Sequence, residues 1–224
     1  MEELSIDLRI SSIDSKRQRS QNRRGRMTET ESFVVRLYYY GKGMVKSMDI
    51  LVIESSPHKK GSSNLLAEHF IQGAEEAGHQ VTVFDAARAN LHPCLGCDAC
   101  GMSGPCCQKD DMAGLREQIL KTDMLVFVTP LYYFGMSTQL KTVIDRFYSF
   151  NGALTGRKLK TALIVAAWDN KEWTMKDIKS HYETLCRYLD FQDQGQILGT
   201  GCGTVSMTKR TEFPKQAYRL GKSL

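Results

Sequence analysis

No stretch of the 224-residue chain approaches the ~20 consecutive apolar residues of a membrane-spanning helix, and the N-terminus lacks the 7–15-residue apolar run of a secretory signal. A cytoplasmic protein with no membrane partner is the expectation. The seven cysteines are odd in number, and five of them fall between Cys94 and Cys107. An odd, clustered set without a secretory signal argues against a disulfide framework and for reduced thiols. The common phosphate-binding signatures are also missing, since neither G-x-x-x-x-G-K-[ST] nor a strand followed by G-x-G-x-x-G occurs. "GTGCGT" at 199–204 has a superficial likeness to the second, but it follows the last strand and opens no helix. It reads as a permissive loop.

The formal charge of +5 is unevenly placed. Residues 1–47 hold ten Lys or Arg against six Asp or Glu, which leaves the remaining 177 residues at +1. The centre of this leader, "SKRQRSQNRRGR", has no interleaved aromatics and no groove-positioning motif, so a disordered tail is expected ahead of a nucleic-acid-binding arm. Met44 and Met48 stand as alternative starts, since Met48 opens the first convincing strand. With 42% hydrophobic and 25% charged residues, the rest of the chain suffices for one sizeable core.

From Met48 onward, short apolar runs alternate with helix-period segments, the pattern of a parallel sheet covered on both faces. The strands are "MDILVIE", "QVTVFDA", "TDMLVFVTP", "KTALIVAAW" and the glycine-interrupted "GQILGTGCG". Between them, Leu66, Phe70, Ala74 and Ala77 fall at helical spacing before Gly78, which is placed to end that helix in a left-handed turn. Asp110 or Asp111 is placed to cap a second helix and Ser137 a third, whose apolar stripe is Leu140, Val143, Ile144 and Phe147. Ile178, Tyr182, Leu185 and Leu189 mark a fourth, and Pro214 sits in the first turn of the last. Five strands predict a doubly wound α/β fold of order 2-1-3-4-5, with a ligand beyond the carboxyl ends of the strands at the β1/β3 switch point.

The loops at that edge carry the chemistry. "SSPHKKGSSN" (55–64) runs into a helix, so amides, the hydroxyls of Ser56, Ser62 and Ser63, and the charges of His58 and Lys59 are positioned for a phosphate monoester. "TPLYYFGMSTQLK" (129–141) places Tyr132, Tyr133 and Phe134 together on a loop. Three such aromatics suit a planar ligand edge or a subunit interface, with Pro130 and Gly135 holding the backbone open. After strand four, Trp168, Asp169 and Asn170 join the same edge.

"SPHKKGSSN", "PCLGCDAC…C…KDDM", "PLYYFGMSTQLKTVIDRF" and "PKQAYRLGKSL" together resemble the NADPH-dependent FMN reductase family, in particular its iron-sulfur flavoprotein-like branch, over residues 48–224. The resemblance implies a flavodoxin-like fold and non-covalent FMN. Its phosphate would lie on Ser56, His58, Lys59, Ser62 and Ser63, and its ring along Pro130, Leu131, Tyr132, Tyr133, Phe134, Gly135, Trp168, Asp169 and Asn170. It also implies NAD(P)H as electron donor, a small-molecule or protein acceptor, and dimers or tetramers. No catalytic side chain is required, because flavin itself carries hydride and electrons.

Cys94, Cys97, Cys100 and Cys106 read C-x2-C-x2-C-x5-C, a compact spacing that suits a [4Fe–4S] cluster and matches the cluster-binding flavoproteins. Cys107 is then an extra thiol, free or able to replace Cys106. Zinc competes, although its structural sites usually pair two knuckles farther apart. A loop that binds no metal and merely packs over the flavin is the third alternative. The rival from another class is a thiol- or zinc-dependent binding module on the same scaffold, its basic leader engaging nucleic acid or a partner.

Overall fold

A computed structural model describes residues 46–224, so the expectations for the basic leader lie outside the described residues. Six strands form the sheet: β1 (Asp49–Glu54), β2 (Gln80–Asp85), β3 (Met124–Tyr132), β4 (Gly135–Met136), β5 (Lys160–Ala166) and β6 (Gln192–Gly199). Their order is β2-β1-β3-β5-β6, all pairs parallel, with β4 added antiparallel to β3. The five parallel strands correspond to the apolar runs and follow the expected doubly wound, flavodoxin-like order, except that the last starts earlier and ends at Gly199, leaving "TGCG" outside it. The sixth is an addition: β3 runs on through Pro130 to Tyr132 and turns back, so "PLYYFGM" is a hairpin where an open loop was expected.

The period-two alternation of β3 divides the core. Met124, Val126 and Val128 face one side with Leu66, Phe70 and Ala217, while Leu125 and Phe127 face the other with Leu115, Val143 and Tyr182. The first side is covered by α1 (Ser62–Glu76) and the C-terminal helix, the second by α2 (Met112–Lys121), α3 (Thr138–Asp145) and, after the short α4 (Asn151–Leu154), α5 (Lys176–Leu189). A short α6 (Val205–Thr208) precedes the last helix, α7 (Phe213–Lys222), whose first turn holds Pro214.

Several helix ends follow their local chemistry. Gly78 has φ +96°, the left-handed turn expected after α1. Ser137 caps α3, accepting from Leu140 N. At α2 the outcome differs: Asp110 Oδ1 accepts from Met112 N, while Asp111 Oδ2 accepts from Asn90 N, outside the helix. In α5 Cys186 is buried beside Ile178, Tyr182 and Leu189, while Leu185 packs against the same core only partly buried.

Helices α1 and α7 meet backbone to backbone. A Cβ at Gly73 would overlap the Tyr218 carbonyl oxygen, and one at Gly221 the Phe70 carbonyl oxygen. Backbone carbonyls have no rotamer by which to retreat, so the helices would have to separate. Gly221→Ala is therefore expected to destabilise the fold by about 3 kcal/mol. A lower urea midpoint at unchanged slope would show it.

Candidate functional site

The crevice at the β1/β3 switch point is built on buried hydroxyls. Ser55 Oγ donates to Val128 O at 2.8 Å, Ser137 Oγ donates to Ser55 Oγ at 2.8 Å, and Ser137 N donates to Thr129 Oγ1 at 2.9 Å. These bonds tie the exits of β1 and β3 to the start of α3. Beyond them the chain turns through Ser56 to Gly61, with His58 N donating to Ser56 Oγ and Gly61 N to His58 O at 2.8 Å. No side chain caps α1, and its first backbone bond runs from Leu65 N to Gly61 O. The amides of Ser62, Ser63 and Asn64 are thus left to an outside acceptor. A Cβ at Gly61 would lie 2.9 Å from His58 O and 3.2 Å from Ser56 Oγ, inside the space this turn encloses. The donor set, the helix dipole and the glycine that keeps the turn tight fit a phosphate.

A cavity of about 460 Å³ opens in front of these amides. That is within the range of sites that take small-molecule cofactors. Ser56, His58, Ser62 and Ser63 line it, as do Pro130, Leu131, Tyr132 and Trp168. The positive charge comes from Lys60 rather than Lys59, whose carbonyl instead accepts from Asn64 Nδ2. The hairpin explains the next departures. Tyr133 and Phe134 form its two-residue turn with φ +46° and +65°, a strained, mirror-image conformation that costs ordinary residues about 1–3 kcal/mol each. That turn leaves Tyr133 fully exposed and sends Phe134 against Trp173 at 5.2 Å, while Gly135 pairs with Tyr132. None of these three lines the cavity. Neither do Asp169, which accepts from Thr174 Oγ1 and Lys171 N, and Asn170.

The remaining wall comes from Ala166 and from Cys202, Gly203, Thr204 and Val205. The "GTGCGT" segment read as a permissive loop is therefore a cavity wall. Backbone bonds from Ala167 N to Gly199 O and from Cys202 N to Ala167 O fold it against the end of β5, with Trp168 resting on Gly203. Its position beyond the last strand carried the signal, because the sheet order brings β6 beside β5.

Glu54, the last residue of β1, accepts from Asn64 Nδ2 at 2.9 Å, next to the 55–61 turn. Burial, aided by the charges of Asp85 and Glu68, pushes its pKa up to about 7, against the pull of Arg88.

The second constellation is the cysteine loop. Cys94, Cys97, Cys100, Cys106 and Cys107 all border one shallow depression, together with Arg146 and Tyr148. Cys107 Sγ stands 3.6 Å from Cys97 Sγ. Among the described residues, no three His, Cys, Asp or Glu side chains are set as a metal site. The four expected ligands therefore share a depression without being preassembled. The donor set nonetheless fits a thiophilic metal group, and the depression's wall holds a buried donor, Arg146 Nε, with no partner.

Arg146 is 1% exposed and donates to both oxygens of buried Asp110, at 2.6 and 3.0 Å, and to His92 O at 2.8 Å. Asp110 also accepts from His92 N and Met112 N. Burial would raise the Asp110 pKa, but Arg146 and these amides more than reverse it and hold it below the usual carboxylate range.

The sequence profile of the NADPH-dependent FMN reductases matches residues 48–181. The chain belongs to the NADPH-dependent FMN reductase family. An iron-sulfur flavoprotein of Archaeoglobus fulgidus is 30% identical over 112 residues, 49% of this chain and 51% of that protein. The chain spans about half the length of this and other curated relatives it matches. A Bacillus subtilis protein with the provisional name NAD(P)H-dependent FMN-containing oxidoreductase is 29% identical over 167 residues, covering 69% of this chain and 86% of its own. Among solved structures, an NAD(P)H:quinone oxidoreductase from Methanothermobacter marburgensis superimposes with a TM-score of 0.65 at 21% identity, over 79% of this chain and 96% of that one. That likeness bears on the fold.

A group whose folded pKa is raised favours the fold in its protonated form. The contribution of Glu54 is thus fully present below its unfolded value near 4.5 and is lost as pH rises through about 7. Glu54→Gln, which keeps an acceptor for Asn64, is expected to stabilise the protein at pH 8 by about 1 kcal/mol after allowance for partial solvation, and to change nothing at pH 4. Thermal melts at the two pH values decide it.

Proposed function

We propose that residues 48–224 form the FMN-binding domain of an NAD(P)H-dependent oxidoreductase, a cytoplasmic homodimer or homotetramer. The observation that carries this reading is the uncapped start of α1 facing a cavity of about 460 Å³ whose opposite wall is aromatic and apolar. One end of the site asks for a phosphate and the other for a flat, weakly polar ring.

The amides of Ser62, Ser63 and Asn64 and the hydroxyls of Ser56, Ser62 and Ser63 would hold the phosphate, with His58 and Lys60 supplying positive charge. Pro130, Leu131 and Tyr132 would support one side of the ring, and Trp168 another. When bound, FMN supplies hydride acceptance and release of electrons singly or in pairs. The chain's task is to orient that ring and leave one edge approachable. Tyr132 and Trp168 remain 44% and 70% exposed, which favours an acceptor that docks against the open edge, either a small molecule or a protein. The fully exposed Tyr133 at the hairpin tip supports contact between copies of the chain. No helix among the described residues is long and apolar enough to cross a membrane.

For the cysteine loop we favour a [4Fe–4S] cluster held by Cys94, Cys97, Cys100 and Cys106. Supporting it are the common depression, the compact spacing, and the names of the relatives that call themselves iron-sulfur flavoproteins. A cluster held by these thiolates would supply one-electron chemistry.

Three measurements test these assignments. Purified protein titrated with FMN is expected to quench flavin fluorescence and then to oxidise NAD(P)H; failure to bind would refute the flavin reading. Ser62→Asp sets a negative charge at the start of α1 and should weaken FMN at least about tenfold, or 1.4 kcal/mol, while leaving riboflavin, which has no phosphate, unaffected. For the loop, anaerobic visible spectra with iron, sulfide and zinc analysis separate a cluster from zinc and from no metal.

A further inference from the structure

We propose that Arg146 is the internal counter-charge and positioning residue for an anionic metal–thiolate group on the 94–107 loop. This rests on the cluster reading of that loop and adds which residue of the chain closes the site and biases its charge.

Packing alone does not call for an arginine here. Arg146 begins the 3₁₀ turn after α3, where its neighbours Val143, Phe147 and Phe150 are apolar and buried. Removing a guanidinium from water costs several kcal/mol unless its charge and donors are matched. Asp110 answers the charge, and three bonds to Asp110 and His92 O answer two of the three nitrogens. The third, Nε, is buried without a partner. Such an orphan is costly and rare in native proteins. It lies in the side chain that forms a wall of the cysteine depression, which Cys106 and the other four thiols of the loop also line.

The same guanidinium holds both mouths of the loop. His92 precedes the first cysteine and Asp110 follows the last, and both are bonded to Arg146 and to each other. The loop is therefore closed over a fixed positive group before any ligand arrives. Four thiolates bring negative charge to whatever they hold, and an added electron increases it. A cationic donor beside one of those sulfurs favours the more negative, reduced state, one of the levers that set cluster potentials. Asp110 anchors the guanidinium but does not itself line the depression, whereas Arg146 does, so of the pair it is the cation that borders the thiols.

The test uses the full chain, reconstituted anaerobically with ferrous iron and sulfide, as wild type, Arg146→Lys, and the charge-neutral pair Arg146→Gln with Asp110→Asn. Iron and sulfide content, circular dichroism and an EPR-monitored redox titration are recorded for each. The double variant is expected to shift the one-electron reduction equilibrium about tenfold toward the oxidised form, 59 mV. Arg146→Lys keeps the charge without the fork, so its shift should be smaller but in the same direction, and it carries the test if the double variant does not fold. Variants with wild-type iron and sulfide content and an unchanged potential would make Arg146 a structural clamp alone and overturn the proposal. A wild-type protein that takes up no iron and sulfide would instead overturn the cluster reading, and this proposal with it.

Discussion

The parallel register between β1 and β3, which sets Glu54 beside Val128, is the constraint on which the rest of the site depends. Two neighbouring strands whose crossovers leave in opposite directions open a crevice at their carboxyl ends, and the exposed backbone there has to be satisfied by something other than a ladder. Here Ser55, Thr129 and Ser137 do so, and in doing so they fix where α3 begins and how the 55–61 turn leaves the sheet. The free amides of α1, the strained hairpin and the wall after β6 are all arranged around that latch.

The cost of this arrangement is concentrated at the same edge. Tyr133 and Phe134 occupy backbone conformations that glycine would adopt freely, and Glu54 sits desolvated next to the 55–61 turn. The two-sided core, with Phe70 and Val126 on one face and Phe127 and Tyr182 on the other, is large enough to hold such local penalties in place. Rigid strands beneath and strained, solvent-facing elements above are what a site needs if it is to hold one face of a ring and leave an edge approachable.

Much of this was legible in the residues. The five parallel strands, the burial of Leu66, Phe70, Leu140 and Val143, the left-handed turn at Gly78 and the cap at Ser137 follow from local rules that need no partner element. At the site, the serine loop and Pro130 to Tyr132 were recognisable because their chemistry is unusual for a strand exit. Lys60, not Lys59, faces the cavity because one position in a tight turn changes which side chain points inward. Asp169 is spent on the turn before α5. The wall at Cys202 to Val205 carries no distinctive residue type, so nothing in its composition announced it.

Local chemistry in the chain, by itself, determined the alternation of strand and helix, and hence the doubly wound sheet and the edge at which a ligand belongs. It also determined that five thiols share one short loop. Only the tertiary structure decided which side chains meet at that edge, and that Arg146 and Asp110, 36 positions apart, join beneath the thiols. The physical reason is range. Propensity, capping and periodicity act within a few residues of the chain, whereas a buried ion pair or a shared cavity exists only after strands distant in sequence have been laid side by side.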